Sequence, residues 1–264
     1  MAGRTVPRAA KMSEEPKAVK SQTLARGLDM LEAVAQGPLG IPEIAAAVGV
    51  TYPTAHRIVS ALVERRYLKQ VENRAYALGP KVVELGFIGY QQADITKIAR
   101  PFLEAMAQST SDTVHLARLE DGEVIYLDKL QSRRPIEISS RIGGRKPAIS
   151  TGVGKALLLD EPEEAWQRLF RRDQRLMRME ITEADWLAKM RAYRRGGYSY
   201  DMGEDEREIR CVSAPLRDAS GRIVAAISVS STTDYMPPER MEALVPEVTG
   251  TAAAISAALG FARR

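Results

Sequence analysis

The chain has 264 residues, 45% hydrophobic and 27% charged, the balance of a soluble globular protein with room for one large domain or two smaller ones. It contains no apolar run of about 18 residues, so no segment is expected to span a membrane; its single cysteine excludes an internal disulfide, and with only two histidines beside it speaks against a Cys/His zinc site. The net charge of +4 sits in the first third: residues 1–93 hold 12 Lys/Arg against 8 Asp/Glu, whereas residues 94–264 hold 26 of each, the pattern of a polyanion-binding module joined to a larger neutral domain.

The opening "MAGRTVPRAAKMSEEPKAVK" lacks the apolar core of a secretory signal. Residues 1–20 therefore read as a disordered basic arm, and the lone thiol fits a reducing cytoplasm. In "SQTLARGLDMLEAVAQGP", Leu24, Leu28, Leu31 and Ala35 recur at helical spacing, and Gly37-Pro38 ends the helix. "IPEIAAAVGV" follows as a short helix with Pro42 in its first turn and Gly49 at its end. A third helix opens at Thr51, an N-cap residue, and turns Ala55, Ile58 and Leu62 inward, with Val59 and Val63 in support.

Two short β-prone runs around Glu72-Asn73 then form a hairpin. This order is that of a winged helix-turn-helix, here residues 21–80. Its second helix is expected in the major groove, with Thr51, Tyr52, Thr54, His56 and Arg57 facing bases and phosphates. Arg74, and more weakly Lys69, are the wing contacts. A plain packed helical hairpin with solubilising arginines is the competing reading.

Residues 81–94 read as a linker helix breaking near Asp94. Val82, Val83, Leu85, Phe87 and Ile88 give it more apolar surface than one helix hides. A second copy or the second domain could cover it, and a reader of palindromic DNA needs two copies.

From residue 95 to 264 the pattern is α+β with an antiparallel sheet. "TVHLARL" and "EVIYLDKL" flank a turn, "PIEISSRIGG" and "KPAIS" are short strands or loops, and "TGVGKALLL" becomes a helix near Val153. Two further helices follow, the second capped by Thr182 and Asp185 and stopped at Gly196. A hairpin turning at Asp218–Gly221 and a helix from Pro238 to Ala258 complete the chain. Period-two alternation puts Cys211, Ser213, Ser228 and Ser230 on one sheet face. They are either small packing residues or the floor of a pocket for a compact, oxygen-rich ligand.

"STGVGKALLL" raises the possibility of a phosphate loop, but Ile149 stands where that loop needs Gly, and Ala156 where it needs Ser or Thr. A helix start with free N–H groups suits a carboxylate instead. A nucleophilic Cys211 with His115 as base is the enzymatic alternative, yet no spacing joins the two and no orienting third group is evident. No catalytic residue, metal ligand or cofactor is predicted.

Taken together, "RGLDMLEAVA", "IPEIAAAVGVTYPTAHRIVSALVERRYL", "YALGPKVVELG", "STGVGKALL", "GYSYD", "IRCVSAPLRD" and "AAISVS" resemble the IclR family of bacterial transcriptional regulators from about residue 21 onward. The resemblance implies a helical winged helix-turn-helix, a linker helix and a GAF-like effector domain, in homodimers that can pair into tetramers. It implies a cytoplasmic protein, nucleoid-associated when bound to double-stranded operator DNA. It also implies that a small carboxylate effector (a 2-oxo acid, sugar acid or aromatic acid) is held by Gly152, Val153, Asp201, Cys211, Ser228 and Ser230, and that catabolic genes are the target. A second domain kept only for oligomerisation is the alternative.

Overall fold

The computed structural model describes residues 21–92, 94–135 and 138–262; the arm expected at residues 1–20 lies outside them. The chain divides into two compact units, Met1–Gln92 and Ala93–Arg264.

The first unit contains α1 (Gln22–Ala35), α2 (Ile41–Val48), α3 (Tyr52–Glu64), β1 (Leu68–Gln70), β2 (Tyr76–Leu78) and α4 (Pro80–Gln92). Met30, Val34, Ile44, Ala55, Val59 and Leu68 form its core. At the end of α2 Gly49 takes a left-handed φ of 69°, which lets the chain turn into α3 without the strain a Cβ would bring. β1 and β2 pair antiparallel around a tip where Asn73 and Arg74 both have positive φ.

The helix expected from Leu24, Leu28, Leu31 and Ala35 is present, but its fully buried residues are Met30 and Val34; Leu31 packs against the core, whereas Leu24 and Leu28 stay 63% and 51% exposed. The helix carries apolar residues on two stripes, and α2 and α3 cover only one. Thr51 is the N-cap residue of α3 as expected; its hydroxyl pairs with the Thr54 hydroxyl at 3.0 Å, so it makes no side-chain bond to the first-turn N–H groups.

The second unit runs α5 (Ile95–Thr110), β3 (Thr113–Glu120), β4 (Glu123–Leu130), β5 (Arg145–Pro147), α6 (Gly152–Leu157), α7 (Glu163–Asp173), α8 (Glu183–Gly196), β6 (Ser199–Asp201), β7 (Ile209–Arg217), β8 (Ile223–Thr232) and α9 (Pro238–Ala258). Its six strands order as β5-β4-β3-β8-β7-β6, every neighbouring pair antiparallel. One face packs Val114, Leu116, Val212, Ile227 and Val229 against α5 and α9. The other packs Ala117, Tyr126 and Ala226 against α6, α7 and α8. Pro246 lies inside α9 and costs about 3 kcal/mol of helix stability. The buried Met241, Leu244, Val248, Ala252 and Ile255 outweigh it, since a fully buried large aliphatic contributes about 1.5–3 kcal/mol.

The helix α8 stops at Gly196 as expected, and the next residue, Gly197, takes the left-handed cap conformation, φ 71°. Either glycine satisfies the sequence pattern; the N–H of Gly197 closes onto the Tyr193 carbonyl at 2.8 Å.

Candidate functional site

In the first unit the buried side of α3 is Ala55, Ile58 and Val59. That leaves Thr51, Tyr52, His56 and Arg57 exposed and Thr54 half-buried. Tyr52 and His56, one turn apart, bring their rings to 6.2 Å. Arg74 and Lys69 are exposed on the hairpin. Among the described residues neither Arg57 nor Arg74 is engaged in an ion pair, so both guanidinium groups are available to an anion. The uncapped N–H groups at the start of α3 add a further anion-binding element. On α4, Val83, Leu85, Phe87 and Ile88 are 73%, 43%, 61% and 40% exposed, apolar side chains on both sides of the helix that the unit itself does not cover.

The second site lies in the second unit, on the sheet face beneath α6. Cross-strand register places Cys211 opposite Ser230 and Ser213 opposite Ser228, with His115 of β3 opposite Ser228 on its other side. Gly152, Val153, Asp201, Cys211, Ser228 and Ser230 all line one cavity, together with His115, Tyr126, Ser140, Lys146, Asp205 and Glu206. All six residues named from the sequence are thus brought together. The cavity leaves about 30 Å³ in which the centre of a water molecule can move, room for about two waters.

Small residues let α6 lie this close to the sheet. A Cβ on Gly152 would come within 3.0 Å of both Cys211 Sγ and Ser213 Oγ, and one on Gly154 would strike the Ala148 backbone. Thr151 caps the helix through Gly154 N–H at 3.0 Å. The Ser199 hydroxyl donates to the Gly152 carbonyl at 2.8 Å. Trp186 Nε1 donates to the Ile149 carbonyl at 3.0 Å, and Trp166 Nε1 to that of Leu158 at 2.7 Å. The glycines therefore serve close packing beside a small polar cavity. Lys155 points into the protein, fully buried, with its ammonium 2.6 Å from Glu204 Oε2.

Electrostatics keep the floor uncharged. Burial, aided by Lys129, pushes His115 down to about 3, so it is a neutral imidazole. Its Nδ1 lies 3.3 Å from Ser228 Oγ and 3.4 Å from Ser230 Oγ, and its Nε2 2.7 Å from Ser140 Oγ. Burial likewise pushes the Cys211 thiol up to about 12. The fold brings His115 and Cys211 into one pocket, a proximity that no sequence spacing indicated. Even so, the sulfur pairs with Ser213 Oγ at 3.6 Å, and at neutral pH the thiol is protonated and the imidazole is a very weak base. Burial raises the Asp201 carboxyl, Lys155 opposes that shift and Glu204 adds to it; Asp201 Oδ1 accepts the N–H groups of Gly203 and Glu204 at 2.9 and 2.8 Å.

The neutral His115 has a consequence for stability. Below its ordinary value of 6.5 the unfolded chain takes up a proton that the folded chain refuses until about pH 3. Stability is therefore lost as pH falls through that window, by up to about 1.4 kcal/mol per pH unit. Urea unfolding at pH 7 and pH 5 is expected to show a larger loss for the wild type than for His115→Gln. Equal losses would mean that the imidazole is protonated in the folded state.

Sequence reasoning missed Tyr126, Ser140, Lys146, Asp205 and Glu206, and used His115 only in an enzymatic alternative. His115 carried a signal: in "TVHLARL" Thr113, His115 and Ala117 alternate against Val114 and Leu116, as Cys211 and Ser213 do on β7. Tyr126 shares the same face through its pairing with Ala117. Lys146 is the middle residue of the three-residue β5, and Ser140, Asp205 and Glu206 sit in loops, where no periodicity points inward.

Comparison with known proteins agrees with this architecture. The family model described as "Bacterial transcriptional regulator IclR C-terminal" matches residues 89–257, and the "IclR helix-turn-helix domain" model matches residues 23–72. The chain is 29% identical over 258 residues to the HTH-type transcriptional regulator KdgR of Escherichia coli, covering 96% of this chain and 97% of that one. It is 30% identical over 246 residues to the HTH-type transcriptional regulator XynR of the same organism, covering 91% and 98%. The crystal structure of the Agobacterium tumefaciens repressor BlcR superposes with a TM-score of 0.79 at 26% identity, over 92% of this chain and 99% of that one.

Proposed function

The chain belongs to the IclR family of bacterial transcriptional regulators, DNA-binding proteins and not enzymes, and we propose that this member couples operator binding to a small carboxylate held in the cavity beneath α6. The observation that carries the proposal is the convergence of a neutral histidine, three serine hydroxyls, a protonated thiol and the start of α6 on a cavity only a few atoms wide. Such a lining suits a compact, oxygen-rich ligand. In this reading Gly152 and Val153 offer backbone N–H groups to the acid, while Asp201, Cys211, Ser228 and Ser230 hold the rest. Genes for the breakdown of the acid are the target, and the protein works in the cytoplasm; no described helix is long and apolar enough to cross a membrane.

Thr51, Tyr52, Thr54, His56 and Arg57 are the proposed groove contacts and Arg74 the wing contact. A homodimer, able to pair further, covers the apolar side chains of α4 and presents two recognition helices to a palindromic operator. The alternative of a second domain serving only assembly gains no support from a cavity lined with this many polar groups.

Two experiments test these assignments. Arg57→Ala is expected to lower operator affinity and to flatten its salt dependence by about one unit of slope for each phosphate no longer neutralised; an unaltered slope removes Arg57 from the phosphate-binding groups. Asp201→Ala is expected to abolish the response of DNA binding to the acid, and a retained response would take Asp201 out of the pocket's binding groups.

A further inference from the structure

An acid entering the cavity meets a carboxyl already there. Asp201 lines the cavity and is 4% exposed. A Cβ on Gly152 would lie 3.4 Å from the Asp201 backbone nitrogen, so a carboxylate held by the Gly152 and Val153 N–H groups sits beside this residue. Asp201 Oδ1 accepts the Gly203 and Glu204 N–H groups. Among the described residues its Oδ2 accepts no hydrogen bond and pairs with no cation.

The neighbouring cations are engaged elsewhere. Lys155 of α6 keeps its ammonium 2.6 Å from Glu204, and Lys189 of α8 approaches the same carboxylate at 3.2 Å. Across the cavity Lys146 of β5 is shared by Asp205 and Glu206, and Arg178 stands beside Glu206. Lys129, which acts on His115, donates to the Ile138 and Ser140 carbonyls. Glu204 and Asp205 add negative charge around Asp201. The other titratable groups near it are neutral: burial pushes Tyr193 of α8 and Cys211 of β7 each up to about 12, and raises Tyr126 of β4 as well.

We propose that the acid binds together with one proton, carried on Asp201 Oδ2, so that the DNA response to the acid weakens as pH rises. This deepens the reading of the cavity as an acid-binding site and rests on it. Two carboxylates side by side in a buried site repel, and adjacent acids relieve that repulsion by sharing a proton. Once protonated, Oδ2 is a donor, and the ligand oxygen gains a charge-assisted hydrogen bond in place of the repulsion. The acid arrives as its anion and the proton comes from solvent. The free protein is poised for this uptake: burial raises the Asp201 carboxyl to about 7, with Lys155 opposing the shift and Glu204 adding to it. Above that pH the free carboxyl is ionised and binding must draw a proton, so affinity falls by up to about tenfold per pH unit. Well below it the proton is already in place and affinity is level. His115 at about 3 and Glu204 at about 2 titrate far from this window.

Calorimetric titration of the full chain with pyruvate, gluconate and benzoate tests the coupling, since all three are anions throughout the window. Repeating each titration in two buffers of different ionisation enthalpy counts the protons taken up. About one proton per bound acid is expected at about pH 8, and a count near zero at about pH 6. Asp201→Asn keeps Oδ1 as an acceptor and places an amide donor at the Oδ2 position. It is expected to bind the acid without proton uptake and with equal affinity at both pH values. Should that variant fail to fold, the wild-type proton count decides alone.

An acid bound at about pH 8 with no proton taken up overturns the coupling and leaves the acid-binding reading intact. Proton uptake that persists in Asp201→Asn overturns it too. If none of the three acids binds the wild type at either pH, the acid-binding reading falls and the coupling with it.

Discussion

Lys155→Met is expected to destabilise the second unit by about 3 kcal/mol or more, because it leaves a carboxylate in the interior without its nearest cation. Glu204 is fully buried; its Oε2 accepts from Lys155 at 2.6 Å and from Met202 N–H at 2.9 Å, and its Oε1 from the partly exposed Lys189 at 3.2 Å. Burial works against both charges of the central pair, yet each partner overcomes it: Lys155 holds Glu204 below its ordinary range, and Glu204 holds Lys155 above its own. Lys189 retains part of the compensation in the variant, which sets the expected loss at the lower end of the range for a broken buried pair. The double variant Lys155→Met/Glu204→Gln is expected to recover much of the loss, since removing both charges removes the uncompensated one.

The signs of the two shifts differ in their pH windows. Glu204's contribution is present above its unfolded pKa and lost as pH falls through the lowered folded one. Lys155's is present below its unfolded pKa and lost as pH rises through the raised folded one. Both tryptophans of the chain, Trp166 and Trp186, are buried in the second unit, so their fluorescence during urea unfolding reports on that unit alone. A Lys155→Met midpoint equal to the wild type's would show that the ammonium is solvated and not buried against Glu204.

The second large effect is predicted at Gly152. Its Cα lies so close to the floor that an added methyl would come within 3.0 Å of Cys211 Sγ and Ser213 Oγ. Gly152→Ala must therefore push α6 away from β7, at a cost of about 1–3 kcal/mol for overpacking. The displacement would also move the Val153 N–H and the cavity wall, so acid binding is expected to fall by at least about tenfold. Cys211→Ala removes one of the two obstructing atoms, and in combination with Gly152→Ala it is expected to return part of the stability, a coupling typical of residues in direct contact. Additive losses in the double variant would mean that residue 152 does not press on Cys211.

Much of the cavity could be read from strand alternation: Cys211, Ser228 and Ser230 emerged from a period of two, and Gly152-Val153 from a helix start poor in side chains. Lys155 and Glu204 were beyond that reading, because 49 positions separate them and no local pattern marks a lysine that points inward. The buried side of α1 was out of reach for a related reason. Periodicity finds an apolar face but cannot say which of two faces its neighbours will cover, and only α2 and α3 decided in favour of Met30 and Val34. Lys146 of β5 meets Asp205 and Glu206 of the loop after β6, a pairing that exists only once the sheet is formed. The exposed Leu24, Leu28 and Phe87 are the part of the pattern that a single chain leaves unburied.

The most direct test is a gel-shift titration of the protein against the DNA upstream of its own gene, with excess non-specific competitor, in the absence and presence of each of a panel of small 2-oxo, sugar and aromatic acids. A specific complex about a thousandfold or more tighter than competitor is predicted. Its affinity should change by about 5–150-fold on adding the acid that binds, and Ser228→Ala should lose that change. A specific complex indifferent to every acid that the protein binds would contradict the proposed coupling between the second unit's cavity and the DNA.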